Sequence, residues 1–163
     1  MSVPSLKPRT FFIAATVVSL AGCAVQQAPA FVADTIAATP QLSTFSDLIT
    51  KAGLTNTLRA SGPFTVFAPT NDAFSKVPAK RMDALAANPA ELRAVLAYHV
   101  ISAKVMAADV KNGNVKTIDG ANLALSKAGG FVTVEDAMVE KADIAASNGV
   151  IHVIDRVLVP AAR

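Results

Sequence analysis

Tryptophan is absent, tyrosine and cysteine occur once each, histidine occurs twice, and only 17% of the 163 residues carry charge. Each shortage removes a class of function. A lone cysteine cannot form an internal disulfide. His99 and His152 have no third ligand at a recognisable metal spacing, which argues against a zinc site. The lysines are scattered, there is no basic run, and there is only one Tyr and no Trp, so nucleic acid is not an expected partner. Ser61, Ser75, Ser126 and Ser147 lack a Gly-x-Ser-x-Gly elbow or other activating context. Among the dispersed acidic residues only Glu135 and Asp136 are adjacent; neighbours on a strand point to opposite faces and do not make a facing acid and base. No catalytic residue, cofactor or metal site is nominated, and the chain is not expected to be an enzyme.

What is present begins with a leader. Lys7 and Arg9 precede an almost uncharged run from Phe11 to Leu20, followed by the small residues Ala21 and Gly22 before Cys23. A basic flank, a short apolar segment and a small-residue cut site define an export signal. The run is about half of the roughly 20 residues a helix needs to cross a hydrocarbon core, and no later run is long enough. Leu20-Ala21-Gly22-Cys23 matches the lipobox of bacterial lipoproteins at every position. That resemblance implies cleavage before Cys23 and lipidation of its sulfur, which removes an otherwise unpaired thiol from an oxidising compartment. Two or more acyl chains anchor stably where one is marginal. The expected organisation is a signal peptide over residues 1–22, a lipidated Cys23 and tether over 23–32, and one folded domain over 33–160. Loss of the leader lowers the formal charge from +3 to +1. Gln26, Gln27, Ala28 and Pro29 make a short polar spacer, reaching about 25 Å from Ala24 to Phe31 if extended. Ala24 in place of Asp points away from inner-membrane retention, so the expected location is the cell envelope, on the outer membrane in its periplasmic or surface leaflet.

The first part of the domain reads as helical. Phe45, Leu48, Ile49 and Ala52 recur at helical spacing, Ser43 and Thr44 can cap, and Gly53 is a stop. A second short helix carries Leu54 and Leu58. After Pro63, Phe64-Thr65-Val66-Phe67 has strand character, and Thr70, Asn71 and Asp72 form a strand-to-helix corner with Thr70 as N-cap. Asn88-Pro89-Ala90-Glu91 has the form of a capping box opening a helix that buries Leu92, Val95, Leu96 and His99. Beyond Val100 the pattern turns to short strands: 115–118, Leu123 and Leu125 alternating, and 131–134, with turns at Asp119-Gly120 and Gly129-Gly130. The last element, from Val150 through Ile154 to Val159, is apolar on both faces like a central strand and follows a turn at Ser147-Asn148-Gly149.

Three segments carry a resemblance. Phe64 through Phe74 resembles the first signature of fasciclin (FAS1) domains, Tyr98-His99-Val100 resembles their central Tyr-His element, and Asn148 through Asp155 with Val157 to Pro160 resembles the second signature. The match runs from about Thr35 to Pro160. It implies an α+β fold in which helices pack on a wedge of mixed β-sheet, and a non-catalytic binding or adhesion module without a cofactor. The partners expected are the membrane, through lipid on Cys23, and a protein or glycan surface. Tyr98 and His99, with Leu96 and Ile101, resemble a recognition element of animal members and form the expected interaction surface. The motif residues Thr70, Asn71, Asp72, Tyr98, His99, Asn148, Gly149, His152 and Asp155 are expected to be mostly structural; a buried histidine bonded to backbone is the favoured reading of both rings. The alternative function is a periplasmic carrier of a small apolar ligand in a cavity between helices and sheet. An envelope hydrolase ranks last and would require a histidine within reach of a serine oxygen.

Overall fold

Alternate β-branched and aromatic residues after Pro63 do form a strand, and it is the spine of the domain. In the computed structural model, which describes residues 30–160, β1 (Phe64–Pro69) lies parallel to β7 (Gly149–Ile154). Phe64 stands opposite Gly149 and Pro69 opposite Ile154. All six residues of β7 are buried, which accounts for its apolar character on both faces. The remaining strands are β2 (Val100–Ile101), β3 (Gly113–Lys116), β4 (Asn122–Ala128), β5 (Phe131–Val134) and β6 (Ala137–Ala146). Their order across the sheet is β2-β1-β7-β6-β5-β4-β3, and every pairing except β1 with β7 is antiparallel. A bridge between Ile101 and Thr117, and a 2.8 Å bond from the Ile118 N–H to the Val100 carbonyl, bring the sheet's two ends together. The sheet therefore curls closed, which satisfies edges that would otherwise invite pairing with other chains.

Because successive strand residues face opposite sides, the spine feeds two cores. Val66, Ala68, Ile151 and Val153 pack under helices with Phe45, Leu48, Leu92 and Leu96. Phe67 and Ile154 point the other way, into the curled sheet, against Tyr98, Leu123, Leu125 and Val134. The helices are α1 (Val32–Ala37), α2 (Ser43–Lys51), α3 (Thr55–Arg59), α4 (Asn71–Ser75), α5 (Ala79–Ala87) and α6 (Pro89–Tyr98). Gly53 stops α2 at φ +69°, with its N–H on the Thr50 carbonyl and the Leu54 N–H on Ile49. This is a Schellman end, which a glycine adopts without Cβ strain.

Several expectations need correction. Val32 opens α1 with no exposed surface, so the packed domain starts inside the expected 23–32 tether. Neither Ser43 nor Thr44 caps α2; the Thr44 N–H donates instead to Asn71 Oδ1 at 3.1 Å. The box at Asn88 is half made: Asn88 Oδ1 accepts from the Glu91 N–H, but the Asn88 N–H is already held by Ala84, and the Glu91 carboxylate lies 3.5 Å from Arg81. Glu135 and Asp136 lie in the β5–β6 turn, with Glu135 at φ 52°. The last strand ends at Ile154; residues 157–159 continue without strand pairing, although Leu158 is buried.

Candidate functional site

His99 caps the end of α6, and the helical spacing that buries Leu92, Val95 and Leu96 carries its ring against Phe45, at a centroid distance of 5.7 Å. Its Nδ1 lies 2.7 Å from the Val95 carbonyl, and Nε2 accepts the Leu158 N–H at 3.0 Å. These partners require a neutral ring with the proton on Nδ1. Burial brings its pKa down to about 4, against the opposing pull of the Val95 bond.

His152 takes the other tautomer. Its Nε2 donates to the Val105 carbonyl at 2.8 Å, Nδ1 accepts the Asp143 N–H at 3.2 Å, and the ring stacks on Phe67. Burial lowers its pKa, opposed by the Val105 bond and the nearby Asp143 charge. Thr65 Oγ1 holds the same loop, donating to the Ala103 carbonyl and accepting the Val105 N–H. Asp143 adds a bond from the Ala107 N–H at 2.8 Å. His152, Thr65 and Asp143 thus clamp the segment that joins β2 to β3.

Tyr98 is 5% exposed, and its hydroxyl stands 3.1 Å from both the Asn122 carbonyl and Glu135 Oε1. Burial, then the Glu135 bond and charge, push its pKa up to about 12. Leu96, His99 and Ile101 are 2%, 0% and 1% exposed. The expected interaction surface at Leu96, Tyr98, His99 and Ile101 is therefore interior, because α6 turns those positions inward and β2 is covered by Thr117 and Ile118. A partner docking on the folded domain cannot touch them.

The other motif residues also serve the fold. Thr70 Oγ1 accepts the Ala73 N–H and caps α4, with Asp72 exposed in its first turn. Asn71 Nδ2 donates to the Pro40 carbonyl while Oδ1 caps α2. Asn148 accepts the Val32 N–H at 2.9 Å and donates to the Leu58 and Ala60 carbonyls, both at 2.8 Å. Gly149 sits where a Cβ would stand 2.2 Å from the Phe64 carbonyl oxygen. Asp155 Oδ1 accepts the Met138 N–H, and Lys76 donates to the Asp155 carbonyl. Asp155 and Arg156 do not pair with each other. All four imidazole nitrogens are engaged by backbone groups, so neither histidine is a free base for a serine.

With the motifs spent on structure, two clefts lie at the opposite ends of the spine. At the N-terminal end of β1 and β7 the chain enters: the Ser147 N–H holds the Ala30 carbonyl at 2.9 Å. A shallow cleft of about 480 Å³ there is bordered by Phe31, Pro63, Lys104 and Asn148. Beyond the opposite end lies a groove of about 380 Å³. Val77, Pro78, Val157 and Val159 supply its apolar lining, and Lys76, Arg81 and Arg156 its basic lining. The sequence reading did not find this groove. The only local signal was the density of basic residues around Pro78 and after Ile154, and nothing in the chain shows that these stretches meet.

A helical layer thus packs on a closed mixed sheet, and the polar motif residues are engaged within the fold. The chain belongs to the fasciclin domain family, whose description matches residues 40–160. It is similar to Protein sll1483 of Synechocystis, 47% identical over 122 residues covering 72% of this chain and 68% of that one. Transforming growth factor-beta-induced protein ig-h3 of Sus scrofa is 41% identical over 70% of this chain, which spans 17% of ig-h3. A solved FAS1 domain pair from the insect cell adhesion molecule fasciclin I shares the fold at a TM-score of 0.60 and 22% identity, over 72% of this chain and 45% of the pair. Fasciclin domains are adhesion and binding modules. Among the described residues no helix is long and apolar enough to cross a membrane, and Cys23 with its leader lies outside them.

Proposed function

We propose that this protein is an exported, non-catalytic binding module, anchored to the cell envelope through lipid on Cys23, that meets a protein or glycan surface. The observation that carries this reading is where the chain enters the domain. Ala30 is fixed at the N-terminal end of β1 and β7, so a lipidated Cys23 holds that end within a short spacer of the bilayer. The opposite end, five strand steps or roughly 17 Å further along the spine, faces outward. The adhesion in the name of fasciclin I supports the surface role. A single domain has one such end, so strength on a surface would come from clustering anchored copies. The carrier alternative needs an enclosed cavity, whereas the helix–sheet interface is filled by Phe45, Leu48, Val66 and Ile151, and the interior of the sheet by Phe67, Leu123 and Val134.

The test is to grow cells with an alkyne-bearing fatty acid, then crosslink and purify the protein beside a Cys23→Ala control. The expected result is lipid label and membrane fractionation for the wild type only, with an envelope or external protein or glycan captured. An unlabelled, soluble wild type would contradict the anchor. A co-purifying small molecule without a macromolecular partner would favour the carrier.

A further inference from the structure

We propose that the groove beyond the C-terminal ends of β1 and β7 is the contact site, and that it takes a short acidic peptide segment bearing aliphatic side chains. This rests on the binding-module reading and specifies its surface and partner. The groove has two chemistries side by side. Its floor is aliphatic, and Val159 is 44% exposed although the flanking Leu158 is buried, so the extended chain after Ile154 offers an apolar side chain to solvent. Its rim is cationic. Lys76 is held by Asp155, and Arg81 by Glu91. The Arg156 guanidinium has neither an ion pair nor a hydrogen bond among the described residues. Arg156 is thus the rim cation left without a carboxylate, which makes the rim complementary to an anion.

Geometry narrows the occupant. At about 380 Å³ the groove is at the small end of the roughly 300–1,000 Å³ of small-molecule sites, and it is open, so it seats side chains of a passing segment better than it encloses a free ligand. The apolar floor offers little to a polar acidic glycan. Lipid headgroups of the anchoring membrane lie at the other end of the spine. Charge outside and aliphatic contact inside is the division expected of a polar rim around an apolar contact.

The test uses the purified full-length protein and fluorescein-labelled decapeptides read by polarisation. One peptide alternates Glu and Leu, one Lys and Leu, and one Glu and Ser; oligogalacturonate and phosphatidylglycerol vesicles are the competing probes. The Glu/Leu peptide should bind at least tenfold more tightly than the other two, and its affinity should fall as salt rises. Arg156→Glu and Val159→Asp, both at exposed positions, should each weaken it by about tenfold or more, equivalent to about 1.4 kcal/mol, while Lys104→Glu at the opposite end should leave it unchanged. Equal binding of all three peptides, indifference to Arg156→Glu, or preference for the glycan or vesicles would overturn the proposal. Crosslinked capture in cells that persists in Arg156→Glu would remove the groove while leaving the binding-module reading standing.

Discussion

His99 shows how a motif residue acts in the fold without touching a partner. The unfolded ring accepts a proton below about pH 6.5, whereas the folded ring, with both nitrogens committed, refuses it until about pH 4. Between those values the unfolded state binds more protons, so stability is fully present above pH 6.5 and is lost as pH falls toward 4. A gap of that size corresponds to about 3 kcal/mol, and His152 acts in the same direction. The urea midpoint should therefore be flat near neutrality and drop between pH 6.5 and 4, with the His99 ring titrating in the acid limb by NMR. A His99 ring that titrates near pH 6.5, or a midpoint unchanged at pH 5, would contradict this account. The expectation of a buried, backbone-bonded histidine holds for both rings, and the same burial that satisfies them removes Tyr98 and His99 from the surface.

Elements meet at a few polar knots, and Asn148 is one of them. Its side chain ties the start of α1 to the end of α3 through three hydrogen bonds. At about 1 kcal/mol each, Asn148→Ala should cost about 3 kcal/mol in chemical denaturation. Gly149→Ala should cost more, because its Cβ would force β1 from β7, while Gly130→Ala in open space serves as the mild control. If the two glycine variants behave alike, the close approach of the strands is not a constraint. Elements with local signals were legible in sequence: the Thr70 cap, the Gly53 stop, the Pro63-led strand and the fully buried β7. Others were not. α5 buries only Leu85, so its amphipathic signal is faint. β6 breaks its alternation at two register shifts, one between Val139 and Lys141 and one between Lys141 and Ile144 that spans Asp143 at φ 57°. Asn71 reads as part of its own helix corner, yet it caps α2, a partner 27 residues earlier in the chain. The groove was invisible because residues 73–81 and 156–159 come together only when β1 pairs with β7.

At the scale of the whole molecule, that parallel pair joins Phe64 to Gly149 and gives the domain its polarity, with the chain entering at one end and the groove lying at the other. The curled sheet closes on Thr117, which blunts edge pairing. On the proposed reading, the end remote from a lipidated Cys23 makes the contact. The most direct measurement places a photo-crosslinking amino acid at Arg156, and in a parallel strain at Lys104, then irradiates intact cells. The account predicts a discrete crosslinked partner from position 156 and none from position 104. The same partner recovered from 104, with 156 silent, would contradict it.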